Sequence, residues 1–571
     1  MYFRDNAIYL YNWQLASYFL HESKLYKSNK LDTISIKRRS SDYQINMKLL
    51  SIFFAILICD QVVDGYRILG IFPYNGKSHW ISQEELMKGL AKRGHQVDVV
   101  THFPQKKPIP NYTDISLAGS MPPVMNNLTA TTVKDMAVSM ILIGSFTYTA
   151  GIKVCQLMDH PKIQELIKNP PQNPPYDIVI TQLHMAPCYL AFGRHLNVPI
   201  VATVASVFHD WLNEVSGNPF NLAYIPSLFS TYTQRMSFTQ RVANVILSNY
   251  ISAQINYQTN SQLEFVKKHF DIDVSHIKDL YRDISLYLVN THHSLHGIKP
   301  MTTNVIEVGG VHLKDNDPLP PEVQKWLDES KNGSIYFTFG SMVRIETFPK
   351  EIIEQFYASF EKIAPVRVLM KVAKKEDLLP GLPKNVMTQS WFPQISVLKH
   401  KHTRGFITHG GGLGTQESIY CGVPMIGIPL FGDQHINIQN YVNKKVAVAF
   451  ESIYDVTEEK LTSALNKILK DPSYYENVQR LSKLFVDRPM SALNTSIFWI
   501  EYIGKHGNVL QSPAIDLYWW QLNLLDVYAF IVAVIIIALC IVLFVLRKLK
   551  NFLFGSPARK DSAAIKLKKN K

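Results

Sequence analysis

The sequence predicts an α/β protein: two parallel-sheet domains followed by one membrane-spanning helix. Three observations predict it. A strand–helix–strand rhythm opens the body at Tyr66, the same rhythm restarts after Asn304, and an uncharged run, Val527 to Leu546, closes it. That run is long enough to cross a bilayer as a helix. A chain of 571 residues is also too long for one core, so two domains with appendages follow from length.

The formal charge of +13 invites a nucleic-acid reading, but its location excludes one. Residues 547–571 carry nine Lys/Arg against one acid, and residues 1–48 carry eight against four, leaving the body between them near neutral. Of five cysteines, Cys59 and Cys540 lie in apolar targeting segments. The remaining Cys155, Cys188 and Cys421 form no Cys-x-x-Cys pair and no disulfide framework; one bridge, Cys155 to Cys188, is allowed and not expected.

The ends set the topology. Met47-Lys48 before LLSIFFAILIC, with Val63-x-Gly65 as cleavage site, reads as a signal peptide over 47–65, and 1–46 as an upstream extension. The mature chain then starts near Tyr66. Trp519 and Trp520 precede the 527–546 span as interfacial anchors, and Arg547, Lys548 and Lys550 follow it, placing the 547–571 tail in the cytosol and the body in the lumen. Sequons at Asn111, Asn127, Asn332 and Asn494 agree with a lumenal body.

In chain order, Tyr66–Pro73 is a buried strand, Ser82–Arg93 a helix ended by Gly94, and Gln96–Phe103 a second strand. Gly76-Lys77-Ser78 is not a phosphate loop, because the earlier glycine it needs would stand at Ile71 and stands at Gly70. Met136–Thr149 is a core or pocket helix. Tyr176–Thr181 and Val198–Val204 are strands, helices run on to about His296, and 297–304 is a linker. The first domain is therefore 66–296 and the second 305–485. In the second, Ser334–Phe339, Val366–Val372, Asn385–Ser390, Arg404–Thr408 and Pro424–Ile428 are strands with helices between them. Helices at Val456–Asp471 and Pro472–Phe485 close the body, and 486–526 holds closing helices and the juxtamembrane segment.

The chemistry concentrates in Trp391 to Gln434. His409 ends a strand, and Gly410–Gly412 open a helix near Leu413. Glycines there let backbone N–H groups approach an anion, and the helix dipole adds partial positive charge. Ser341, Trp391, His409 and Asp433 each lie at or past a strand's carboxyl end, where doubly wound sheets bind ligands. Trp391 can stack on a base and Gln394 can bond its edge or a ribose. Glu417 suits ribose hydroxyls, and Asp433-Gln434 suits a sugar ring. Together they describe a nucleotide-sugar site.

Trp391-x-x-Gln394, His409-Gly410-Gly411, Glu417, Gly422-Val423-Pro424 and Asp433-Gln434 resemble the signature of UDP-glycosyltransferases, over nearly all of 66–571. The animal UDP-glucuronosyltransferase-like members are most similar, and Thr415–Ser418 looks like the arthropod branch. The resemblance implies a GT-B fold, two facing Rossmann-like domains plus the C-terminal transmembrane helix, the first domain for the acceptor and the second for the UDP-sugar. It implies uracil-side roles for Trp391 and Gln394, diphosphate contacts at Ser341, His409, Gly411, Gly412 and Gly414, ribose binding by Glu417, and sugar hydroxyls at Asp433 and Gln434. Leu413 departs from the Asn of many members. The terminal Lys568-Lys569-Asn570-Lys571 resembles a dilysine signal for the endoplasmic reticulum.

Ser78-His79-Trp80 matches the family's catalytic histidine segment, making His79 the base that takes a proton from an acceptor hydroxyl. The family's partner Asp is absent: Gln182 stands near its position, with Asp177 at the strand's other end and His184 beyond. Either another acid substitutes, turnover is slow, or catalysis has been lost. The expected function is inverting transfer of a sugar, glucose before glucuronic acid, from a UDP-sugar to a small lipophilic acceptor in detoxification or metabolite conjugation. The alternative is a non-catalytic, membrane-tethered binder of UDP-sugar and lipophile. No metal or cofactor is called for, the UDP-sugar being a co-substrate. The partners are that sugar nucleotide, the acceptor and the membrane, with no nucleic acid; self-association is compatible with the sequence.

Overall fold

A computed structural model describes residues 65–555, except 123, 142 and 315–317 and the side chains of 137–141. The 1–46 extension, the 47–65 leader up to its last residue and the tail beyond 555 with its lysine terminus lie outside the described residues.

The first sheet holds β1 (Arg67–Phe72), β2 (Gln96–Thr101), β3 (Tyr112–Ser116), β4 (Ile178–Gln182), β5 (Ile200–Val204), β6 (Ile284–Val289) and β7 (Val305–Glu307). All pair in parallel, in the order β3-β2-β1-β4-β5-β6-β7. β1, β4, β5 and β6 are apolar almost throughout because helices cover both faces of the sheet. The second sheet holds β8 (Ser334–Thr338), β9 (Arg367–Lys371), β10 (Val386–Gln389), β11 (Thr403–Thr408), β12 (Met425–Gly427) and β13 (Ala447–Ala449). Its order is β10-β9-β8-β11-β12-β13, again all parallel. Strand order reverses between β1 and β4 in one sheet and between β8 and β11 in the other. Those two switch points are where ligands of such sheets lie.

The structure corrects several expectations. Ile284–Val289 is a strand inside the stretch read as helical; its run ISLYLV is buried at every position, on both faces of the sheet. Val305–Glu307 pairs with β6 and so belongs to the first sheet, although 305 was expected to open the second domain. The first helix begins at Lys77 instead of Ser82, so His79 sits in its first turn and not in a loop. Lys77, Ser78 and His79 in that turn are polar, so no apolar period announces it. Cys155 and Cys188 form a disulfide with Cα atoms 6.3 Å apart, the pairing that the sequence allowed and did not lead one to expect.

The chain crosses between the halves more than once. Leu128, Ala130 and Val133 precede or open the Ala130–Ile141 helix, yet they are buried in the core of the second sheet. The Ala492–His506 helix returns to the first half, burying Ile497, Ile500 and Ile503 in the core shared with the Lys77–Lys92 helix. Buried aliphatic side chains of this kind contribute about 1.5–3 kcal/mol each. Its Glu501, 3.0 Å from Arg93 Nε and 3.1 Å from His95 Nε2, adds less because the Arg93 pair is exposed. Leu525–Phe554 is, among the described residues, the one helix long and apolar enough to cross a membrane.

Candidate active site

A cavity of about 280 Å³ lies between the carboxyl ends of the two sheets. It is lined by His79 and by Ser341, Trp391, Gln394, His409, Gly411, Gly412, Gly414, Glu417, Asp433 and Gln434. One cavity thus gathers His79 and the ten residues expected to hold the UDP-sugar, while Gln182 sits behind His79 in a small neighbouring void.

The second-half wall is built largely from backbone. β11 ends at Thr408, and Gly411 caps the helix Gly412–Tyr420 in extended conformation. The N–H groups of that helix's first turn have no partners of their own within it, which makes the turn an anion site. His409 is wedged between Gly340 and Gly411: a Cβ on either would stand 2.7 Å from its ring. Gly340 also has a φ of +79°, which glycine alone adopts without strain. The His409 Nδ1 is buried without a partner, as is the Ser341 hydroxyl oxygen. Burial lowers His409 to about 4, with nearby Lys371 pushing the same way, so the ring is neutral at physiological pH.

The polar side chains around this turn are partly committed to one another. Gln394 Nε2 donates to Glu417 Oε2 at 2.6 Å, and His312 Nε2 stands 3.5 Å from the other carboxylate oxygen. Asp433 accepts from Asn437 at 2.9 Å, and burial raises its carboxyl. Gln434 Oε1 accepts the backbone N–H groups of Leu430 (2.8 Å) and Phe431 (3.0 Å). Its carbonyl therefore holds the loop, and only its NH₂ remains for a ligand, which narrows the paired donors and acceptors expected at Asp433-Gln434. Trp391 is 50% exposed at the cavity rim, an indole face open to a planar group.

On the first-half wall, His79 follows β1 and Gln182 ends β4, so the two straddle the switch point. The Gln182 side-chain amide lies 2.7 Å from His79 Nδ1. Tyr74 meets the His79 ring at 4.9 Å and His184 at 4.6 Å, both edge-on. Burial lowers His79 to about 4, His184 well below its usual value, and His209 to about 3. Asp177 is at the far end of β4, accepting the backbone N–H of Arg67 at 2.8 Å, so it is no partner for His79.

Sequence reasoning missed Tyr74, Phe146, His209, Trp211 and Phe229, which line the first-half wall, and Lys371. Lys371 ends β9 and is 5% exposed; its ammonium donates to Asn126 Oδ1 at 2.6 Å. Burial lowers it to about 8 against the opposing pull of Glu346. Among the described residues, no other lysine and no arginine lines the cavity. Its position at a strand's carboxyl end was the available signal. Asn126 belongs to a segment of the first half that docks on the second: the N–H groups of Asn126 and Asn127 bond the carbonyls of Ser341 and Met342 at 2.9 and 3.0 Å.

Comparison with known proteins agrees with this geometry. The family model described as UDP-glucoronosyl and UDP-glucosyl transferase matches residues 68–560. The chain is similar to UDP-glucosyltransferase 2 of Dactylopius coccus, 34% identical over 91% of this chain and 99% of that protein. It is also similar to UDP-glucuronosyltransferase 2A3 of Mus musculus, 29% identical over 88% of this chain and 97% of that one. Among solved structures, Phytolacca americana UGT2 complexed with UDP-2-fluoroglucose and pterostilbene superposes with TM-score 0.50 at 18% identity, covering 77% of this chain and 99% of that one. Glycosyltransferase VinC in complex with dTDP does so with TM-score 0.52 at 14% identity, covering 77% and 100%. These likenesses establish the GT-B fold, two Rossmann-like domains facing across a cleft. The chain belongs to the UDP-glycosyltransferase family, and it is an enzyme of that class.

Proposed function

We propose that the protein transfers a sugar, glucose in preference to glucuronic acid, from UDP to a hydroxyl of a small lipophilic acceptor, with inversion. The observation that carries this reading is the single cavity joining His79 to the turn at His409–Gly414. UDP would stack its base on Trp391, share Glu417 with Gln394 at the ribose, and rest its diphosphate on Ser341, His409 and the N–H groups at Gly411, Gly412 and Gly414. Asp433 and the Gln434 amide would hold the sugar. His79 receives the acceptor's proton, the oxygen attacks the anomeric carbon from the face opposite UDP, and the electron pair of the broken bond leaves on the diphosphate. Lys371 and the helix N-terminus meet that charge, so neither metal nor cofactor enters the reading. The name of the 34% identical relative, a UDP-glucosyltransferase, supports glucose. The 527–546 span, the basic tail and its lysine terminus support a lumenal body anchored in the endoplasmic reticulum, suited to conjugating metabolites or foreign compounds.

The test is transfer by microsomes expressing the chain, given UDP-glucose or UDP-glucuronate with a panel of phenols. His79→Ala should lower transfer to an un-ionised phenol by about 10²-fold or more while leaving UDP affinity nearly unchanged. Activity surviving that change removes His79 as the base. UDP binding without transfer from either donor favours the second reading, a membrane-tethered binder, which the amide in place of a carboxylate at Gln182 also favours.

A further inference from the structure

The group behind the catalytic histidine of this chain is an amide. An amide presents either its NH₂ or its oxygen to a neighbour, and the two faces differ by a flip that the hydrogen-bond network decides. With NH₂ toward His79 Nδ1, that nitrogen accepts, the ring proton sits on Nε2, and no lone pair remains to take a proton. With the oxygen toward it, Nδ1–H donates and Nε2 is free to act. Only the second arrangement is productive, and neither places negative charge beside the imidazolium that proton transfer would create.

Nothing else among the described residues around the ring supplies that charge. Tyr74, ahead of the Lys77–Lys92 helix, and His184, beyond β4, meet the ring as neutral aromatics. His209, beyond β5, would itself oppose a positive His79. Asp210, next to it, accepts the Leu228 backbone N–H on Oδ1 at 3.1 Å and lines the adjacent cavity with Lys299. Asp177 is committed to Arg67. A proton placed on His79 at neutral pH, its value lowered to about 4, is therefore disfavoured on the order of a thousandfold.

We propose that this enzyme is selective for acceptors that bring their own acidity, phenols activated by electron-withdrawing groups and carboxylic acids, over aliphatic alcohols, because Gln182 stands where a carboxylate would back His79. The inference rests on the transferase reading above. Such an acceptor reacts as its anion with its proton already in solvent, which replaces the proton transfer to His79 drawn above while the same bonds to the anomeric carbon form and break. An oxygen lone pair forms the bond to the anomeric carbon as the bond from that carbon to the diphosphate oxygen breaks, its electron pair leaving on UDP. His79, neutral, orients the anion by a hydrogen bond. The pocket's Tyr74, Phe146, His184, Trp211 and Phe229 suit a planar conjugated acceptor, the class in which such acidity is found.

The test is a series of phenols running from nitrophenol to unsubstituted phenol, with cyclohexanol as the alcohol, assayed for kcat/KM across about pH 6 to 9 on the full chain in microsomes. The donor is whichever UDP-sugar the chain accepts. The expected result is a pH profile whose midpoint moves with the acceptor's own pKa, and cyclohexanol transfer below that of phenol by about 10²-fold or more. Gln182→Asp, with UDP affinity checked as evidence of folding, should raise transfer to cyclohexanol and phenol by about 10²-fold, raise nitrophenol transfer far less, and make the midpoint independent of the acceptor. A wild-type midpoint that ignores the acceptor, or cyclohexanol turned over as well as nitrophenol, overturns the inference and leaves the transferase reading standing; this arm needs no variant. UDP binding with no transfer to any acceptor, in wild type and Gln182→Asp alike, overturns both.

Discussion

Replacing Lys371 by methionine should make the free protein more stable and its hold on UDP weaker. Burial lowers this ammonium from 10.5 to about 8. At about 1.4 kcal/mol per unit, holding the charge in the folded state costs about 3 kcal/mol. The unfolded chain binds more protons than the folded one between those two values, so this cost is fully present below about pH 8 and disappears as pH rises towards 10.5. Lys371→Met keeps the length and removes the charge, at the loss of one hydrogen bond to Asn126 worth about 1 kcal/mol. The net expectation is a gain of about 1–2 kcal/mol at neutral pH.

With UDP bound, the diphosphate becomes the missing counter-charge and the ammonium regains its proton affinity. Wild-type UDP binding should therefore take up a proton near pH 8 and weaken above it. The variant should lose about tenfold or more in affinity, the worth of a hydrogen bond to a charged group, and lose that pH slope. Thermal unfolding of the detergent-solubilised full chain with and without UDP, and calorimetric titration at about pH 7 and 9, read both effects. A variant less stable than wild type, with unchanged UDP affinity and slope, would refute the reasoning and leave Lys371 as a strut for Asn126.

Three further outcomes are expected. Gly411→Ala puts a Cβ 2.7 Å from the His409 ring on a backbone that tolerates it, so transfer should fall about tenfold or more with little change in unfolding midpoint; loss of stability alone would contradict the wedge. Trp391→Ala removes a stacking face worth about 1–3 kcal/mol, so titration should show weaker UDP binding while kcat stays close to wild type; an unchanged affinity would remove Trp391 from the base site. Breaking the 33-residue loop closed by Cys155 and Cys188, as Cys155→Ser or with reductant, should cost about 2–4 kcal/mol in denaturant unfolding, and no cost would show the link to be unimportant.

How much of this was legible depended on how local the chemistry is. Apart from Ser341 and Lys371, the polar side of the second-half wall is written in 44 consecutive residues, Trp391 to Gln434, because a glycine turn between strand and helix fixes its geometry over a short span. The acceptor wall is not. Tyr74 follows β1, Phe146 lies on a short helix after β3, His184 follows β4, and Trp211 and Phe229 follow β5, so only the fold makes them neighbours. β6 was not separated from the helices before it because a fully buried run fits a helix as well as a strand, and no glycine or proline marks its start as Gly65, Pro175 and Pro199 mark β1, β4 and β5. The start of the helix at Lys77 was hidden because its first turn opens on three polar residues, of which Ser78 and His79 line the cleft and Lys77 pairs with Glu84.

The two halves also share residues that no reading of separate domains could assign. Asn126 is numbered with the first half, yet its backbone joins the second at Ser341 and its side chain holds the one ammonium facing the donor turn. Gln416, on the glycine-turn helix, reaches the other way and donates to the Asn290 carbonyl of the first half at 3.0 Å. Both contacts tie the loops that carry the chemistry, beyond β8 and beyond β11, to the opposite sheet. The second-half wall is therefore positioned in part by the first half. A change in the packing of Leu128 or Val133 should for that reason be felt first as lost transfer, through a displaced Asn126 and Lys371, before it is felt as lost fold.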